Sequence, residues 1–273
     1  MKNASKVISV MLAVLLVMSL MAGCSNEEKE AAIASFNAEC ERINGEVADL
    51  EALISECEGL IETGAEPYEP ETMTALETAT TKARANIQEL PELPGKTEEI
   101  AADVDDLKTI SYLDEAENLA AAKESYETSV KIMEQITNPD EAFVISCLEK
   151  IEGITGYAAA TEEHDVNGNL HKQGGPTSAV VFEYDKVDQS QTYGADLIEK
   201  GTDAGGQIEV YETAEIAQNR DSYLGSFDGS ILANGSHVVL GTMVVRTSNL
   251  LTATQQKELE DALVQVFITL QDQ

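Results

Sequence analysis

The sequence predicts an α+β protein in two parts. The N-terminal part is all-α, with three long helices in a bundle or a coiled coil, and the C-terminal part is an antiparallel four-stranded sheet covered by helices. Apolar residues recur at spacings of three and four through the first half, as on one face of a helix. After Gly153, apolar and β-branched runs alternate with turn residues, as in strands. We therefore assign residues 1–23 to a leader, 24–137 to an acidic helical bundle or stalk, and 138–273 to an α+β domain.

The leader has the layout of a secretory signal peptide. Lys2 and Lys6 form a positive head, residues 7–21 are almost entirely apolar, and a small Ala-Gly pair stands directly before Cys24. This junction resembles the lipobox of bacterial lipoproteins, with Met21 in place of the usual Leu. The resemblance implies cleavage before Cys24 and attachment of lipid, such as palmitate, to the new N-terminal cysteine. The alternative is an uncleaved transmembrane anchor, which the short apolar run disfavours, since a spanning helix needs roughly 20 residues.

The chain is strongly acidic: 17 Lys and Arg residues oppose 50 Asp and Glu residues, a net charge of -33. Because Lys2 and Lys6 leave with the leader, the mature chain carries 15 basic against 50 acidic residues, a net charge of -35. Such a surface repels nucleic acid and anionic lipid headgroups. We therefore expect no nucleic-acid partner, and attachment through the lipid on Cys24 to the extracytoplasmic face of the cell membrane.

The first predicted helix spans residues 27–62 and carries a heptad seam. The seam consists of Ile33, Phe36, Cys40, Ile43, Val47, Leu50, Ile54, Cys57 and Ile61. Gly64 and Pro67 end the helix. The seam has two explanations: packing against the next helices in an up-down-up bundle, or pairing of the helical stalk with another chain, as in a homodimer joined along residues 33–61.

Two more helices are predicted before residue 137. One covers residues 73–90, after which Pro91 forbids continuation. The other begins after Gly95, and its apolar phase slips near residues 110–113, which predicts a kink or a short break. Residues 68–87 resemble the FIVAR-type helical repeats of Gram-positive surface proteins. That resemblance implies a spacer, or a module that binds host or wall components.

Three cysteines remain once Cys24 is assigned to lipid, and an odd number is unusual for an exported protein. Cys40 and Cys57 lie 17 residues apart on one predicted helix, which is roughly 25 Å at 1.5 Å per residue. A disulfide cannot span that distance. We expect these two and Cys147 to be buried free thiols, and an intermolecular disulfide in a parallel dimer is the alternative.

The α+β domain opens with a helix and continues with strands. Asn138 is the predicted N-cap, Pro139 suits the first helical position, and Glu141 completes a capping box. The predicted strands are residues 154–161, 177–184, 207–211 and 237–247. Thr213 and Thr252 predict the caps of two further helices, which run to about residues 224 and 270. This order favours a mostly antiparallel sheet covered on one face by two or three helices.

Three stretches of this domain, YETAEIAQNRDSYL, SHVVLGTMVVRTS and LTATQQKELEDAL, resemble a small C-terminal domain of uncharacterised lipoproteins of Gram-positive bacteria. The resemblance implies location at the cell envelope and the same fold class. It assigns no role to any residue.

No metal or cofactor site is predicted. Oxygen-bearing side chains alternate from Asp165 to Asn169 like the first ligands of an EF-hand, but the glycine comes too early and Pro176 stands where a bidentate Glu is needed. His164 and His171 flank this loop without the compact spacing of zinc ligands. An Asn-Gly hairpin turn explains the loop.

No catalytic residue is predicted either. The sequence has no G-x-S-x-G motif, and its glycine-rich segments lack the lysine of a phosphate-binding loop. The alternative is an envelope enzyme or enzyme accessory with its site in the loops at residues 165–176 and 185–206. A pocket that held His171, Asp203 and Arg246 together would favour that alternative.

Arg246 is the one basic residue inside a predicted strand of apolar neighbours. It either pairs with Glu209 or Glu212, or presents its guanidinium to a ligand carboxylate. Tyr211 and Arg220 are assigned to the same edge, and with Arg246 they are the predicted ligand-binding residues. Together with the leader, they favour a membrane-anchored binding or structural module whose partner is a protein or an envelope ligand.

Overall fold

The computed structural model describes residues 26–230 and 235–271. The predicted leader and the predicted lipid site, Cys24, lie outside the described residues. Within the described residues, the chain folds into two compact units, one of residues 26–56 and 80–119, the other of residues 57–79 and 120–271. The domain boundary at residues 137 and 138 stays a prediction. No helix in 26–230 or 235–271 combines the length and the apolar character needed to cross a membrane.

The N-terminal half is helical, as predicted. Its helices are α1 (Asn26–Thr63), α2 (Glu71–Asn86), α3 (Thr97–Leu107) and α4 (Leu113–Gln135). The third predicted helix is therefore two helices, and the break between them falls where the apolar phase slips, which confirms that prediction. Pairing through the seam at residues 33–61 stays a prediction.

In the first unit, apolar positions of the α1 seam are buried within a single chain. Phe36, Ile43, Leu50 and Ile54 are at most 4% exposed. The same unit buries side chains from the other helices and from the break before α4, namely Ala83, Ile100, Val104, Leu107, Tyr112 and Leu119. Burial of a heptad seam by helices of the same chain is what the bundle explanation requires.

A charged pair on α1 holds the break between α3 and α4. Arg42 Nη2 donates to the carbonyl oxygens of Leu107 at 3.1 Å and Ile110 at 2.9 Å, at the end of α3. Glu46 accepts from the backbone N–H of Tyr112 at 2.8 Å, at the start of α4. That backbone hydrogen bond is the main reason why the pKa of Glu46 is lowered. The pair thus satisfies backbone groups that the ends of helices leave free.

The C-terminal half is a mixed helix and sheet structure, as predicted. Its helices are α5 (Glu141–Leu148), α6 (Leu197–Lys200), α7 (Ala214–Gly225) and α8 (Ala253–Ile268). Its strands are β1 (Ile154–Ala159), β2 (Ser178–Tyr184), β3 (Gly205–Val210), β4 (His237–Leu240) and β5 (Met243–Thr247). They form one antiparallel sheet in the order β1-β2-β3-β5-β4.

The sheet has one strand more than predicted, because residues 237–247 form a hairpin and not a single strand. Leu240 of β4 pairs with Met243 of β5 across a two-residue turn. Gly241 opens the turn at φ +57°, a left-handed conformation that glycine adopts without steric cost. A Cβ at this position would lie 2.4 Å from the carbonyl oxygen of Ile136, so the turn has no room for a side chain.

The predicted helix caps are partly correct. Thr252 and Gln255 form the capping box of α8, and Thr213 caps α7, as predicted. The N-cap of α5 is Asp140, whose side chain accepts from Phe143 N, and not Asn138 as predicted. Asn138 has φ +47°, and its backbone N–H donates to Thr242 Oγ1 at 2.6 Å. Asn138 therefore makes a tertiary hydrogen bond to the turn between β4 and β5 and does not cap α5.

Helices cover both faces of the sheet, whereas one covered face was predicted. On one face, α5 and α8 pack against the apolar side chains Val180, Phe182, Ile208, Val210 and Val245. On the other face, α7 packs through Ala217 and Leu224 against Val244. Val244 and Val245 are consecutive, and alternation along a strand sends their side chains to opposite faces. The second face carries the candidate site.

Candidate functional site

Strand β3 places polar side chains on the face that α7 covers. Ile208 and Val210 belong to the apolar core on the other face, so Gln207 and Glu209 alternate to the α7 side. Glu209 pairs with Val244 of β5 and with Ala179 of β2. It stands near the middle of the sheet, and its side chain is only 2% exposed.

The Glu209 carboxylate accepts four hydrogen bonds, two at each oxygen. Oε2 accepts from Arg220 Nε and from the Tyr211 hydroxyl, both at 2.8 Å. Oε1 accepts from Arg220 Nη2 at 2.9 Å and from Arg246 Nη1 at 2.8 Å. Arg220 therefore binds Glu209 as a fork, and Arg246 completes the shell from the neighbouring strand. We call Glu209, Tyr211, Arg220 and Arg246 the arginine cluster.

Three side chains of the arginine cluster have pKa values shifted away from neutral pH. Burial by itself would raise the pKa of Glu209, but the hydrogen bond from Arg220 and the charges of Arg246 and Arg220 outweigh burial, so the pKa is lowered. Burial and the adjacent Glu209 charge raise the pKa of Tyr211 far above its usual value. Burial would lower the pKa of Arg220, yet its bond to Glu209 raises it. Near neutral pH the cluster is therefore a carboxylate, a phenol and two guanidinium groups.

The charge of the arginine cluster is opposite in sign to that of the chain. Two guanidinium groups and one carboxylate give a net charge of +1, in a chain whose net charge is -33. A buried charge without a full counter-charge is costly, because burial removes its hydration. A small anion bound beside the cluster would balance this excess.

Two cavities open on the same face, with volumes of about 550 Å³ and 570 Å³. Both are lined by Arg220 and Tyr223, and they also share Asp165, Asn167 and Gln207. Arg246 lines the first cavity, whereas Glu209 and Tyr211 line the second. Small-molecule sites usually have volumes of about 300 to 1,000 Å³. The arginine cluster thus separates two spaces, each large enough for a small ligand.

The structure brings together all three predicted ligand-binding residues. Arg246, Tyr211 and Arg220 surround Glu209, and the predicted pairing of Arg246 with Glu209 is present. Tyr223 lies beside them, with its ring centre 5.7 Å from the Arg220 guanidinium carbon. The sequence interpretation missed Glu209 as the centre of the site. The signal for it was the Gln-Ile-Glu-Val alternation, which puts two polar side chains on one face of a strand.

The three residues that would favour an enzyme do not share one of these cavities. Asp203 and Arg246 line the first cavity, but His171 is not among the described residues that line either cavity. In the loop at residues 165–176, the Asp165 carboxylate accepts from the backbone N–H groups of Asn169 and Leu170, at 2.6 and 2.8 Å. Asp165 is thus engaged by its own loop.

The other residues weighed in the sequence are not members of the arginine cluster, although His237 pairs with Arg246 across β4 and β5. His237 is on the edge strand β4, as predicted, and its Nδ1 lies 2.6 Å from an Asp221 carboxylate oxygen. Cys40, Cys57 and Cys147 are free thiols. Cys57 and Cys147 are buried as predicted, whereas Cys40 is only partly buried. Burial raises the pKa of Cys147, which disfavours the reactive thiolate.

Comparison of the chain with protein families, with curated proteins and with solved structures finds no match.

Proposed function

We propose that the chain is a lipid-anchored, extracytoplasmic protein of the cell membrane whose α+β half binds a small ligand that carries a carboxylate. The observation that carries the binding role is the arginine cluster between two cavities. The leader and its junction with Cys24 support the anchor. The proposed role is binding, without catalysis.

The guanidinium groups have the right chemistry for a carboxylate. Two guanidinium groups carry ten N–H donors, and three hydrogen bonds from them go to Glu209. The planar fork of a guanidinium matches the two oxygens of a carboxylate. The Arg220 side chain is 23% exposed and lines both cavities, so it is the accessible member of the cluster.

Glu209 prepares the site before a ligand arrives. Three of its four hydrogen bonds hold the two guanidinium groups in place, so a ligand does not have to order two long side chains. Asp203 and Glu199 also line the first cavity and disfavour polyanions there. A ligand with one or two carboxylates therefore fits better than a highly charged one.

The same geometry favours binding over acid and base catalysis. General catalysis needs a group whose pKa lies near the working pH, whereas the pKa of Glu209 is lowered and that of Tyr211 is raised. An envelope enzyme is the second candidate, because Lys172 from the loop at 165–176 and Lys200 at the end of α6, within the connection at 185–206, line these cavities. Turnover of the bound carboxylate would identify it.

Calorimetric titration of the full chain with acetate, succinate and L-glutamate tests the binding role, and acetamide and succinamide are the uncharged controls. We expect a carboxylate to bind and its amide to fail. Arg220→Gln should weaken binding at least ten-fold, whereas Arg84→Gln on the exposed face of α2 should leave it unchanged. Equal binding by the two variants, or no binding of any carboxylate, would refute the proposal.

The anchor is tested separately by mass spectrometry of native material and by fractionation of cells that carry Cys24→Ser. We expect residue 24 to carry lipid in the wild type, and the variant to leave the membrane fraction. An unmodified Cys24 in membrane-bound wild-type protein would contradict the anchor without touching the binding role.

A further inference from the structure

Three metal-ligating side chains converge at a second place on the α+β half. His164, Asp196 and Glu199 each offer one ligand atom, and these atoms all lie within 4.8 Å of one another. His164 Nε2 lies 3.5 Å from Asp196 Oδ2. We call these three residues the histidine–carboxylate cluster. It shares no residue with the arginine cluster, so the inference does not rest on the proposed function.

Local hydrogen bonds hold the two carboxylates in place. Asp196 Oδ1 accepts from Glu199 N at 3.0 Å, and Glu199 Oε2 accepts from Ala195 N at 2.7 Å. One oxygen of each carboxylate is therefore fixed, while Asp196 Oδ2 faces His164. The His164 backbone is held as well, since its N–H donates to the carbonyl oxygen of Thr161 at 2.9 Å. Metal ligands in proteins are commonly oriented by such outer contacts.

The two carboxylates of the histidine–carboxylate cluster favour binding of a cation. Among the described lysines and arginines, none forms an ion pair with Asp196 or Glu199. Lys200, next to Glu199 in sequence, directs its Nζ elsewhere, to Glu183 Oε1 at 3.8 Å and Gln189 Oε1 at 3.3 Å. Two carboxylates thus stand close together with only an imidazole beside them, and like charges at this separation repel.

The cluster lies next to the first cavity. Glu199 lines the first cavity, and so does Asp165, which directly follows His164. Of the three exposed side chains, Glu199 is therefore the one that connects the cluster to the first cavity. A metal ion held there would be open to solvent and to anything that enters the cavity.

We propose that His164, Asp196 and Glu199 bind one divalent transition-metal ion of the zinc type. Ligand atoms of a tetrahedral zinc site lie roughly 3.3 to 3.6 Å apart for metal–ligand distances of about 2.0 to 2.2 Å. The His164–Asp196 separation of 3.5 Å falls in that interval, and all three separations are within 4.8 Å. An imidazole ligand favours zinc over calcium and magnesium, which prefer oxygen ligands. Three protein ligands leave the fourth position for water or an anion.

This site differs from the zinc site of His164 and His171 that was considered from the sequence. That pair was rejected because its spacing does not suit zinc ligands. The fold instead brings His164 to residues more than thirty positions later in the chain. His171 is exposed and belongs to the same loop, so it supplies a matched control.

The test is calorimetric titration of the untagged full chain with Zn²⁺ in 0.15 M salt, after alkylation of accessible thiols. We expect one tight site per chain that millimolar Ca²⁺ does not displace. His164→Ala and Asp196→Asn should each weaken it at least ten-fold, and His171→Ala should leave it unchanged. Asn retains the N-cap of α6, so the second variant keeps the local fold.

Two results would overturn the proposal. One is equal Zn²⁺ affinity in the His164→Ala and His171→Ala variants, which would mean diffuse binding to the acidic surface. The other is loss of the tight site on addition of Ca²⁺, which would mean a site made of oxygen ligands alone. Neither result bears on carboxylate binding at Arg220.

Discussion

Arg220 Nε and Nη2 lie 2.8 and 2.9 Å from the two carboxylate oxygens of Glu209. The pair joins helix α7 to the central strand β3, and it does so where the side chain of Glu209 is almost completely buried. A bond of this kind serves two purposes at once. It fixes the helix on the sheet, and it fixes a guanidinium group at the boundary of two cavities.

Removal of the Glu209 charge should destabilise the protein. Glu209→Gln keeps the shape of the side chain but leaves two guanidinium groups without their counter-charge. Breaking a buried ion pair on one side costs about 3 to 5 kcal/mol, and urea unfolding at pH 7 measures the loss. Glu212→Gln, three residues further along and exposed, should change the free energy of unfolding by less than about 0.5 kcal/mol. Equal stability of the two variants would show that Glu209 does not anchor the cluster.

The contribution of Glu209 should disappear in acid. Its pKa in the folded protein is lowered, so its stabilisation is complete above the pKa of the unfolded chain, about 4.3, and is lost as pH falls through the folded value. The difference in unfolding free energy between wild type and Glu209→Gln should therefore shrink below about pH 4. Unfolding series at pH 7, 5, 4 and 3 measure it. A difference that stays constant over this interval would contradict the lowered pKa.

The turn between β4 and β5 should not tolerate a side chain. Gly241→Ala places a Cβ 2.4 Å from the carbonyl oxygen of Ile136 and at φ +57°, so backbone must move. Gly174→Ala is the matched control, because Gly174 has φ +75° and open space around it. The control measures the cost of the left-handed backbone alone, about 1 to 2 kcal/mol, and Gly241→Ala should lose clearly more free energy of unfolding in urea. Equal losses of unfolding free energy in the two variants would mean that the backbone at Ile136 moves away without cost.

In the first unit, Arg42→Gln should loosen the break between α3 and α4. The variant removes two hydrogen bonds to the backbone at the end of α3, and Arg42 is partly exposed, so a loss of about 1 to 2 kcal/mol is expected. Hydrogen exchange of the α3 amides measures the local opening. Lys82→Gln, on the exposed face of α2, should leave that exchange unchanged.

The site shows where inference from sequence stops. Arg246 was predicted because it is the one basic residue inside a predicted strand of apolar neighbours, and Tyr211 and Arg220 were predicted as residues of the same edge. Glu209 was predicted only as one of two partners of Arg246, since choosing between Glu209 and Glu212 requires the register of β3 against β5. In the structure, Glu209 faces Val244 and is buried, whereas Glu212 lies beyond the strand and is exposed.

The sequence by itself determined the helical first half, the break near residues 110–113, the caps at Thr213 and Thr252, and an antiparallel sheet. These features depend on local periodicity and on hydrogen bonds between near neighbours, which the order of residues specifies directly. Only the tertiary structure decided that residues 237–247 fold back at Gly241, that α7 covers the second face, and that His164 meets Asp196. The turn at Gly241 packs against Ile136, more than a hundred positions earlier, and the other two features likewise depend on residues far apart in the chain. Such contacts exist only after the elements have packed.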